Sequence, residues 1–333
     1  MDLPERVDGY DTLMEMIRRR TFLQGAAIGV GGAALTASYL AFSSSRTARW
    51  FRRLAGDYRR SIPAAPVKPN PAQWSDNQIT FAWLGHSSVL INFYGLRILT
   101  DPVLGSRCGI STGFGTLGPK RLVAPALTVK ELPPIDVVVL SHAHYDHFDT
   151  PTLSQLGRET WIATAQGTAD VIEGQFSSVN ELAWGEEANF RGPKGELKVQ
   201  AIEVKHWGER WPSKKRRGYN GYALHREGKS ILFGGDTAQT GALASASAHG
   251  PYVAGIMPIG AYQPWIWNHC TPEQALDMTN AARARYILPV HHQTFKLSDE
   301  PRLEPIQRLT SALQKEPERL AWRDVGDTFV CPA

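Results

Sequence analysis

Residues Val137 to Asp149 read VVVLSHAHYDHFD, four apolar residues followed at once by three histidines and two aspartates. A continuous apolar run of this length is typical of a buried β-strand, so the ionisable side chains begin where the strand ends. His142 and His144 alternate and therefore lie on one side of an extended segment. Asp146 and His147 follow in the turn. Imidazole and carboxylate are ligands that zinc and similar ions prefer, so the stretch predicts a metal site.

Four candidate ligands so close in sequence crowd a single ion, and the stretch favours two neighbouring ions with one pair of ligands each. Other apolar runs lead to the same residue types. They are VQAIEVKHW with His206, SILFGGDT with Asp236, and YILPVHH with His291 and His292. Solvated surface histidines are the alternative, which the strand-end positions argue against. Side chains on rigid strand ends form a preorganised site, so the sequence predicts a two-metal centre with a bridging carboxylate.

The charge of the chain is concentrated near its first residue. Residues 1–60 hold ten arginines and six acidic residues, so 26 of the 36 basic and 26 of the 32 acidic residues lie in the remainder. The net charge of +4 therefore belongs to the N-terminal segment. A neutral body lacks the basic face of a nucleic-acid-binding domain, and no nucleic-acid partner is expected.

The N-terminal segment resembles a bacterial twin-arginine signal. Arg19 and Arg20 precede Thr-Phe-Leu-Gln, and no charged residue occurs from Thr21 to Ser45. A basic region before an apolar one is an export signal. Residues 1–42 are therefore expected to direct the protein to the bacterial periplasm or cell envelope through the twin-arginine export machinery. The alternative is an uncleaved anchor in the inner membrane, because 25 uncharged residues can span a bilayer.

Residues 43–75 are rich in serine, arginine and proline and predict a linker. The part from Ala48 to Arg60 fits a basic amphipathic helix on a membrane surface. The prolines from Pro63 to Pro71 favour an extended chain. The linker separates the signal from a predicted domain over residues 76–333.

The domain begins with closely spaced short strands. They are predicted at Ile79–Leu84, Ser88–Phe93 and Leu96–Thr100. Helices are predicted after Thr150 and Thr271, because each threonine can cap a helix that has proline at its first position. Strands followed by helices, twice over, favour two packed sheets with helices outside.

The run His142-Ala-His144-Tyr-Asp146-His147 matches the HxHxDH signature of the metallo-β-lactamase superfamily, and His206, Asp236 and His291 match its remaining ligands in order. The resemblance covers about residues 76–333. Within the superfamily the chain is most similar to the N-acyl-phosphatidylethanolamine-hydrolysing phospholipase D family. The matching segments include WLGHSSVLI, ILTDPVLGSRC, GPKRLVAPAL, KHW, FGGDT, MPIGAYQPW and HHQTF. The sugar-lactonase branch is a looser match.

The resemblance implies an α/β fold of the αββα type, with two packed mixed sheets and helices on both outer faces. It also implies two zinc ions, for which other divalent transition metals are alternatives. It assigns His142, His144 and His206 to one ion, Asp146, His147 and His291 to the other, and Asp236 to both. His269 corresponds to a histidine near the substrate phosphate. The implied catalytic residues are Asp146, Asp236 and His269.

The implied activity is phospholipase D-type hydrolysis of N-acylphosphatidylethanolamine, or a related phospholipid, to phosphatidic acid and an N-acylethanolamine. A lactonase or other ester hydrolase stays open, because a fold does not determine its chemistry. A metal-binding envelope protein without activity is the remaining alternative, and the complete ligand set argues against it. The chain departs from the family's His-Trp-Gly-Thr-Phe at His292 and Gln293.

Further residues are candidates for supporting roles. His86 either orients a metal ligand or is a core histidine, and Asp101 either positions a loop of the metal site or caps a turn. Two loops combine cations or aromatic residues with the candidate ligands, and they predict a rim for phospholipid headgroups, a wall for acyl chains and contact with a membrane surface. A solvated loop and core aromatics are the alternatives. The candidates are Lys214, Arg216, Arg217, Tyr262, Trp265 and Trp267.

Overall fold

Two β-sheets make up the body of the protein in the computed structural model, which describes Asp57, residues 60–112 and residues 115–332. The predicted signal over residues 1–42 lies outside these residues, as does most of the predicted basic helix. Within the described ranges no helix is both long and apolar enough to cross a bilayer.

The described residues form fifteen strands and four short α-helices. The strands are β1 Ile79–Gly85, β2 Ser88–Phe93, β3 Leu96–Thr100, β4 Ile110–Thr112, β5 Gly115–Leu117, β6 Val137–Leu140, β7 Trp161–Ala165, β8 Ser178–Leu182, β9 Glu187–Gly192, β10 Gly195–Ile202, β11 Gly221–Arg226, β12 Lys229–Phe233, β13 Tyr252–Pro258, β14 Ala284–Val290 and β15 Thr328–Val330. The helices are α1 Thr150–Leu153, α2 Ala242–Ser245, α3 Pro272–Ala281 and α4 Glu304–Ala312.

Both large sheets are mixed. The first has the order β15-β1-β2-β3-β6-β7-β8, with β3, β6, β7 and β8 parallel to one another. The second has the order β14-β13-β12-β11-β10-β9, with β12, β13 and β14 parallel. The strands β4 and β5 pair as a separate hairpin. Since parallel neighbours end at the same edge, each sheet gathers the residues that follow its strands.

Side chains of the second sheet alternate between two apolar clusters, as the period of a strand requires. Ile231 and Phe233 belong to the cluster that also contains the first sheet, whereas Leu232 belongs to the cluster formed with α2, α3 and α4. Leu153 of α1 packs into the cluster of the first sheet. This is the predicted arrangement of two packed sheets with helices outside, although α1 has only four residues.

The helix starts agree with the sequence at one position and differ at another. Thr271 caps α3 as predicted, because its hydroxyl accepts a hydrogen bond from the Gln274 amide and the Gln274 side chain accepts one from the Thr271 amide. The prediction of Thr150 as the cap of α1 is wrong. Asp149 caps this helix by accepting from the Thr152 amide at 3.1 Å, because a carboxylate binds the positive helix end more strongly.

The proline-rich segment forms neither an α-helix nor a strand over residues 60–70, and it packs on the domain from about residue 60 onward. The Ala124 amide donates to the Pro63 carbonyl at 2.8 Å, and the Val67 amide donates to the Val325 carbonyl at 3.4 Å. Ala65 and Trp74 also contact the main apolar cluster. The last part of the predicted linker is therefore an ordered edge of the domain.

Candidate metal centre

The residues predicted as metal ligands meet at one edge of the sandwich. Each follows the carboxyl end of a strand, and those strands run the same way within their sheet. His142, His144, Asp146 and His147 follow β6, His206 follows β10, Asp236 follows β12 and His291 follows β14. The structure therefore brings all seven predicted ligands to one place.

Three histidines form the first half of this place, and we call them the three-histidine group. His144 Nδ1 lies 2.8 Å from His142 Nε2 and 3.3 Å from His206 Nε2. One nitrogen of each ring points to a common centre, and these nitrogens lie within 4.8 Å of one another. Three imidazole nitrogens at such spacing can bind one ion.

Asp146, His147 and His291 form the second half, which we call the mixed group. Asp146 Oδ2 lies 3.6 Å from His147 Nε2 and 3.5 Å from His291 Nε2. His86 belongs to the same cluster, with its Nε2 atom 3.0 Å from Asp146 Oδ2. One carboxylate and two imidazoles again make a suitable ligand set for a transition metal.

Asp236 lies between the two groups. Its Oδ2 atom is 3.1 Å from the Nε2 atoms of His147 and His291, and 3.7 Å from His206 Nε2. His269 Nδ1 lies 3.8 Å from the same oxygen. A carboxylate that reaches both groups has the position of a bridging ligand.

Buried atoms without partners show that a cation fits this centre. Among the residues that the structure describes, His147 Nε2, His291 Nε2 and Asp236 Oδ1 have no hydrogen-bond partner, although each is enclosed. Buried polar atoms are nearly always paired, because leaving them unpaired is costly. Imidazole lone pairs and carboxylate oxygens around one point are what a divalent cation satisfies.

Neighbouring groups determine which nitrogen each histidine offers. His147 donates its Nδ1 hydrogen to Asp101 Oδ2 at 2.6 Å, and His206 donates its Nδ1 hydrogen to the carbonyl of Asn268 at 2.8 Å. Each ring therefore presents its Nε2 lone pair to the centre. Asp101 thus holds the ring of the predicted ligand His147, and His86 contacts the predicted ligand Asp146.

The histidines of the two groups differ in pKa. Burial holds the pKa of His142 well below its usual value and lowers that of His144 to about 4 and that of His206 to about 3. Burial also opposes the protonation of His147 and His291. Carboxylates led by Asp236 outweigh it, so the pKa of His147 is raised well above its usual value and that of His291 to about 9.

The backbone is strained where it delivers these side chains. His86, Asp101 and His291 have φ values of 52°, 33° and 63°. Left-handed conformations of residues other than glycine cost about 1–3 kcal/mol each when bulky side chains adopt them. The His291 amide donates to the His86 carbonyl at 3.1 Å, and the His86 amide donates to Thr294 Oγ1 at 2.6 Å. Strain held in place by such bonds marks a functional site.

The predicted rim residues divide into exposed and buried sets. Lys214 and Arg216 are exposed, Trp265 is half-buried and Trp267 is 70% exposed. Arg217 and Tyr262 are buried, and the prediction that they face a substrate is not met. The Arg217 guanidinium pairs with both carboxylate oxygens of Asp170. The Tyr262 hydroxyl donates to Glu304 Oε1 at 2.7 Å.

Three residues that support the centre were not among the predicted site residues. Trp207 packs against His144 and His206, with ring centroids 4.5 and 4.2 Å away. Arg210 donates to the carbonyls of Ala143 and Phe148 at 2.7 and 2.9 Å, and so stabilises the loop that carries four of the predicted ligands. Ser141 connects Asp101 with His142. For Ser141, the position directly before His142 was the only sign in the sequence of a role at the centre.

A two-sheet αββα sandwich with a His/Asp centre at one edge defines the class of metal-dependent hydrolases with the metallo-β-lactamase fold. The family model described as beta-lactamase superfamily domain matches residues 96–292, and the chain belongs to this superfamily. Within the superfamily it is most like the N-acyl-phosphatidylethanolamine-hydrolysing phospholipase D family.

Known relatives agree with this placement. An uncharacterised protein of Mycobacterium tuberculosis is 33% identical over 79% of this chain and 72% of its own length. The N-acyl-phosphatidylethanolamine-hydrolyzing phospholipase D 1 of Caenorhabditis elegans is 30% identical over 76% of this chain and 73% of its own length. The fold also matches an isothiocyanate hydrolase from Delia radicum gut bacteria, with a TM-score of 0.59, 18% identity, and coverage of 75% and 98% of the two chains.

Proposed function

We propose that this metal-dependent hydrolase binds two zinc ions and cleaves the phosphodiester of N-acylphosphatidylethanolamine, or a related phospholipid, by phospholipase D-type hydrolysis. The observation that carries the proposal is the position of Asp236, whose Oδ2 atom lies 3.1 Å from two ligands of the mixed group and 3.7 Å from His206. The similarity to the nematode phospholipase supports the choice of substrate.

The proposed ligands are the three-histidine group for one ion, the mixed group for the other, and Asp236 for both. Two such ions, when bound, supply a hydroxide at neutral pH and polarise a phosphoryl oxygen. The protein's own residues orient the ligands. Asp101 and the Asn268 carbonyl hold the rings of His147 and His206, and His86 contacts Asp146.

Asp236 and His269 are the groups that handle protons and the phosphoryl group in this proposal. Burial alone would raise the pKa of Asp236, but the surrounding histidines, His147 foremost, hold it well below its usual value, so the carboxylate is ionised. It can accept a proton from the attacking water and return it to the ethanolamine-side alkoxide. Burial lowers the pKa of His269 to about 3, so its neutral ring can donate a hydrogen bond to a phosphoryl oxygen.

The activity is tested with the purified, zinc-loaded protein and two lipids, N-acylphosphatidylethanolamine and plain phosphatidylethanolamine. We expect mass spectrometry to detect phosphatidic acid and an N-acylethanolamine from the first lipid, and no product after chelation. Comparison with the second lipid shows whether the N-acyl group is required. Absence of product from both lipids with metal bound would reject the substrate, and lactones would be tested next.

A membrane surface is the proposed partner, because Lys214 and Arg216 are exposed on the loop that follows the ligand His206 and can attract anionic lipids. Arg216→Glu should lower the fraction of the protein that sediments with vesicles that contain phosphatidylglycerol. Lys229→Glu is the matched control, since Lys229 is exposed at the start of β12 and Asp236 follows the other end of this strand. Equal losses in both variants would point to net charge rather than to this loop.

The proposed location is the periplasm or cell envelope, reached by twin-arginine export or by an uncleaved anchor. The support is the sequence alone, with Arg19 and Arg20 before 25 uncharged residues. Replacing both arginines by lysine should retain the protein in the cytoplasm of a bacterial host, as fractionation would show. Unchanged export would reject the twin-arginine route.

A further inference from the structure

The loop of residues 259–269, between β13 and α3, has two contacts with the candidate metal centre. The carbonyl of Asn268 accepts the Nδ1 hydrogen of His206 at 2.8 Å. His269, the next residue, reaches to 3.8 Å from Asp236. Trp267, the preceding residue, is 70% exposed. This loop therefore connects an exposed aromatic side chain directly with the metal centre.

A short turn fixes the end of the loop that contacts the centre. The amides of Asn268 and His269 both donate to the carbonyl of Trp265, at 2.9 and 3.0 Å. The orientation of the Asn268 carbonyl, and with it the tautomer of His206, therefore depends on where Trp265 is held. The position of Trp265 depends in turn on the first half of the loop.

Glu300 holds the first half of the loop through its backbone. Its Oε1 atom accepts from the Ala261 amide at 2.5 Å and from Ser298 Oγ at 2.6 Å, and its Oε2 atom accepts from the Gln263 amide at 3.1 Å. Ala261 has a φ of 63°, a conformation that needs such support. Glu300 therefore accepts hydrogen bonds from two backbone amides that have no acceptor within the loop.

The environment of this carboxylate is unusual. Glu300 is only 8% exposed, and within the described part of the chain no lysine, arginine or histidine pairs with it. Carboxylates rarely occur buried without a cation, because removing a charge from water is costly. Here the loop's own amide dipoles solvate the charge, so the carboxylate and the loop conformation depend on each other.

From these contacts we infer that Glu300 is a positioning residue of the metal centre, which acts by holding the 259–269 loop so that Asn268 keeps His206 oriented. The inference rests on the proposed metal ligands, and it adds a residue that touches neither metal ligands nor substrate. We therefore expect a change at Glu300 to act on the three-histidine group through the Asn268 carbonyl, which holds His206.

The test compares Glu300→Gln with Glu304→Gln in the full-length, zinc-loaded protein. Glu300→Gln replaces one carboxylate oxygen by an NH2 group, which cannot accept a hydrogen bond. One backbone N–H group of the loop therefore loses its acceptor. Glu304 is the matched control, because it also contacts the loop but its side chain accepts from the Tyr262 hydroxyl and from Arg308 rather than from a backbone amide of the loop. Hydrogen exchange of peptides over residues 259–269, and zinc affinity by chelator competition, are the two measurements.

For Glu300→Gln we expect exchange over residues 259–269 to become at least about tenfold faster, with β13 unchanged, and affinity at one of two zinc sites to fall about tenfold. Glu304→Gln should change neither. Faster exchange spread over β13 and α4, or a loosened loop with unchanged zinc affinity, would reduce Glu300 to a structural role and overturn the inference. If Glu300→Gln does not fold, Glu300→Asp, which keeps the charge but is shorter, is measured in the same way.

Neither measurement uses a substrate, so the two proposals can fail separately. If the wild-type protein does not cleave N-acylphosphatidylethanolamine, the proposed function fails while exchange and zinc affinity still decide the role of Glu300. If the wild-type protein is active, kcat on that lipid should fall together with zinc affinity in Glu300→Gln, and a fall in turnover with full zinc affinity would count against the inference.

Discussion

The three-histidine group and the mixed group lie side by side, but different hydrogen-bond acceptors orient their histidine rings. In the mixed group a carboxylate, Asp101, takes the hydrogen of His147 at 2.6 Å. In the three-histidine group a neutral carbonyl, that of Asn268, takes the hydrogen of His206 at 2.8 Å. A carboxylate partner makes a ring more basic, whereas a carbonyl mainly orients it. The two halves are therefore expected to differ in affinity and in pH dependence.

Asp236 belongs to both halves, and its replacement tests whether they act together. Asp236→Asn removes a charged ligand that lies within 3.7 Å of His206 and 3.1 Å of His147. We expect turnover of the lipid substrate to fall below detection, because both ions and the proton acceptor are affected at once. Activity assays with metal analysis and circular dichroism would check this. Near-normal turnover by a folded variant would show that Asp236 does not bridge the groups.

Asp101→Asn should weaken zinc binding by the mixed group more than by the three-histidine group. The variant loses the charged acceptor of the His147 hydrogen, and such changes next to metal ligands cost about 10–100-fold in metal affinity or activity. We expect a loss of this size for the ion of the mixed group, and a smaller loss for the other ion through Ser141, measured by chelator competition. Asp277→Asn, at an exposed position of α3, is the control. Equal weakening of both ions would contradict the division into two groups.

The same comparison predicts that the two zinc ions displace different numbers of protons. In the metal-free protein the pKa of His147 is raised and that of His291 lies at about 9, so both rings are protonated at pH 7 and must lose protons on binding. Affinity of the mixed group should therefore rise with pH up to about 9. The rings of the three-histidine group are already neutral at pH 7, because burial lowers their pKa values.

Calorimetric titration with zinc at pH 7, in buffers that differ in protonation enthalpy, measures this release. We expect one binding event with up to two protons released by His147 and His291, and a second event with almost none. Proton release that is the same for both events would show that the carboxylates near the mixed group do not set its protonation.

Much of this site was predictable from the sequence, because metal ligands follow apolar strands at short spacing. The run after β6 and the residues after β12 and β14 could be placed at the ends of strands without coordinates. The strand β13 was missed, since Gly255 weakens its pattern, Pro251 precedes it and Pro258 is its last residue. The sequence also could not show that Arg217 and Tyr262 are buried. Their partners, Asp170 and Glu304, are more than 40 residues away along the chain.

Ser141 links the two halves, and its removal should have the smallest effect. Its hydroxyl lies 2.5 Å from Asp101 Oδ2 and 2.9 Å from His142 Nδ1. The single hydroxyl hydrogen goes to the carboxylate, so the His142 ring donates its Nδ1 hydrogen to Ser141 and offers Nε2 to the metal. Ser141→Ala leaves Asp101 paired with His147 but removes the acceptor of the His142 hydrogen, a loss of about 1 kcal/mol, or roughly fivefold in zinc affinity. Chelator competition should show this loss at the three-histidine group. A larger effect on the mixed group would mean that Ser141 acts mainly through Asp101, and that the two groups are less independent than their hydrogen bonds indicate.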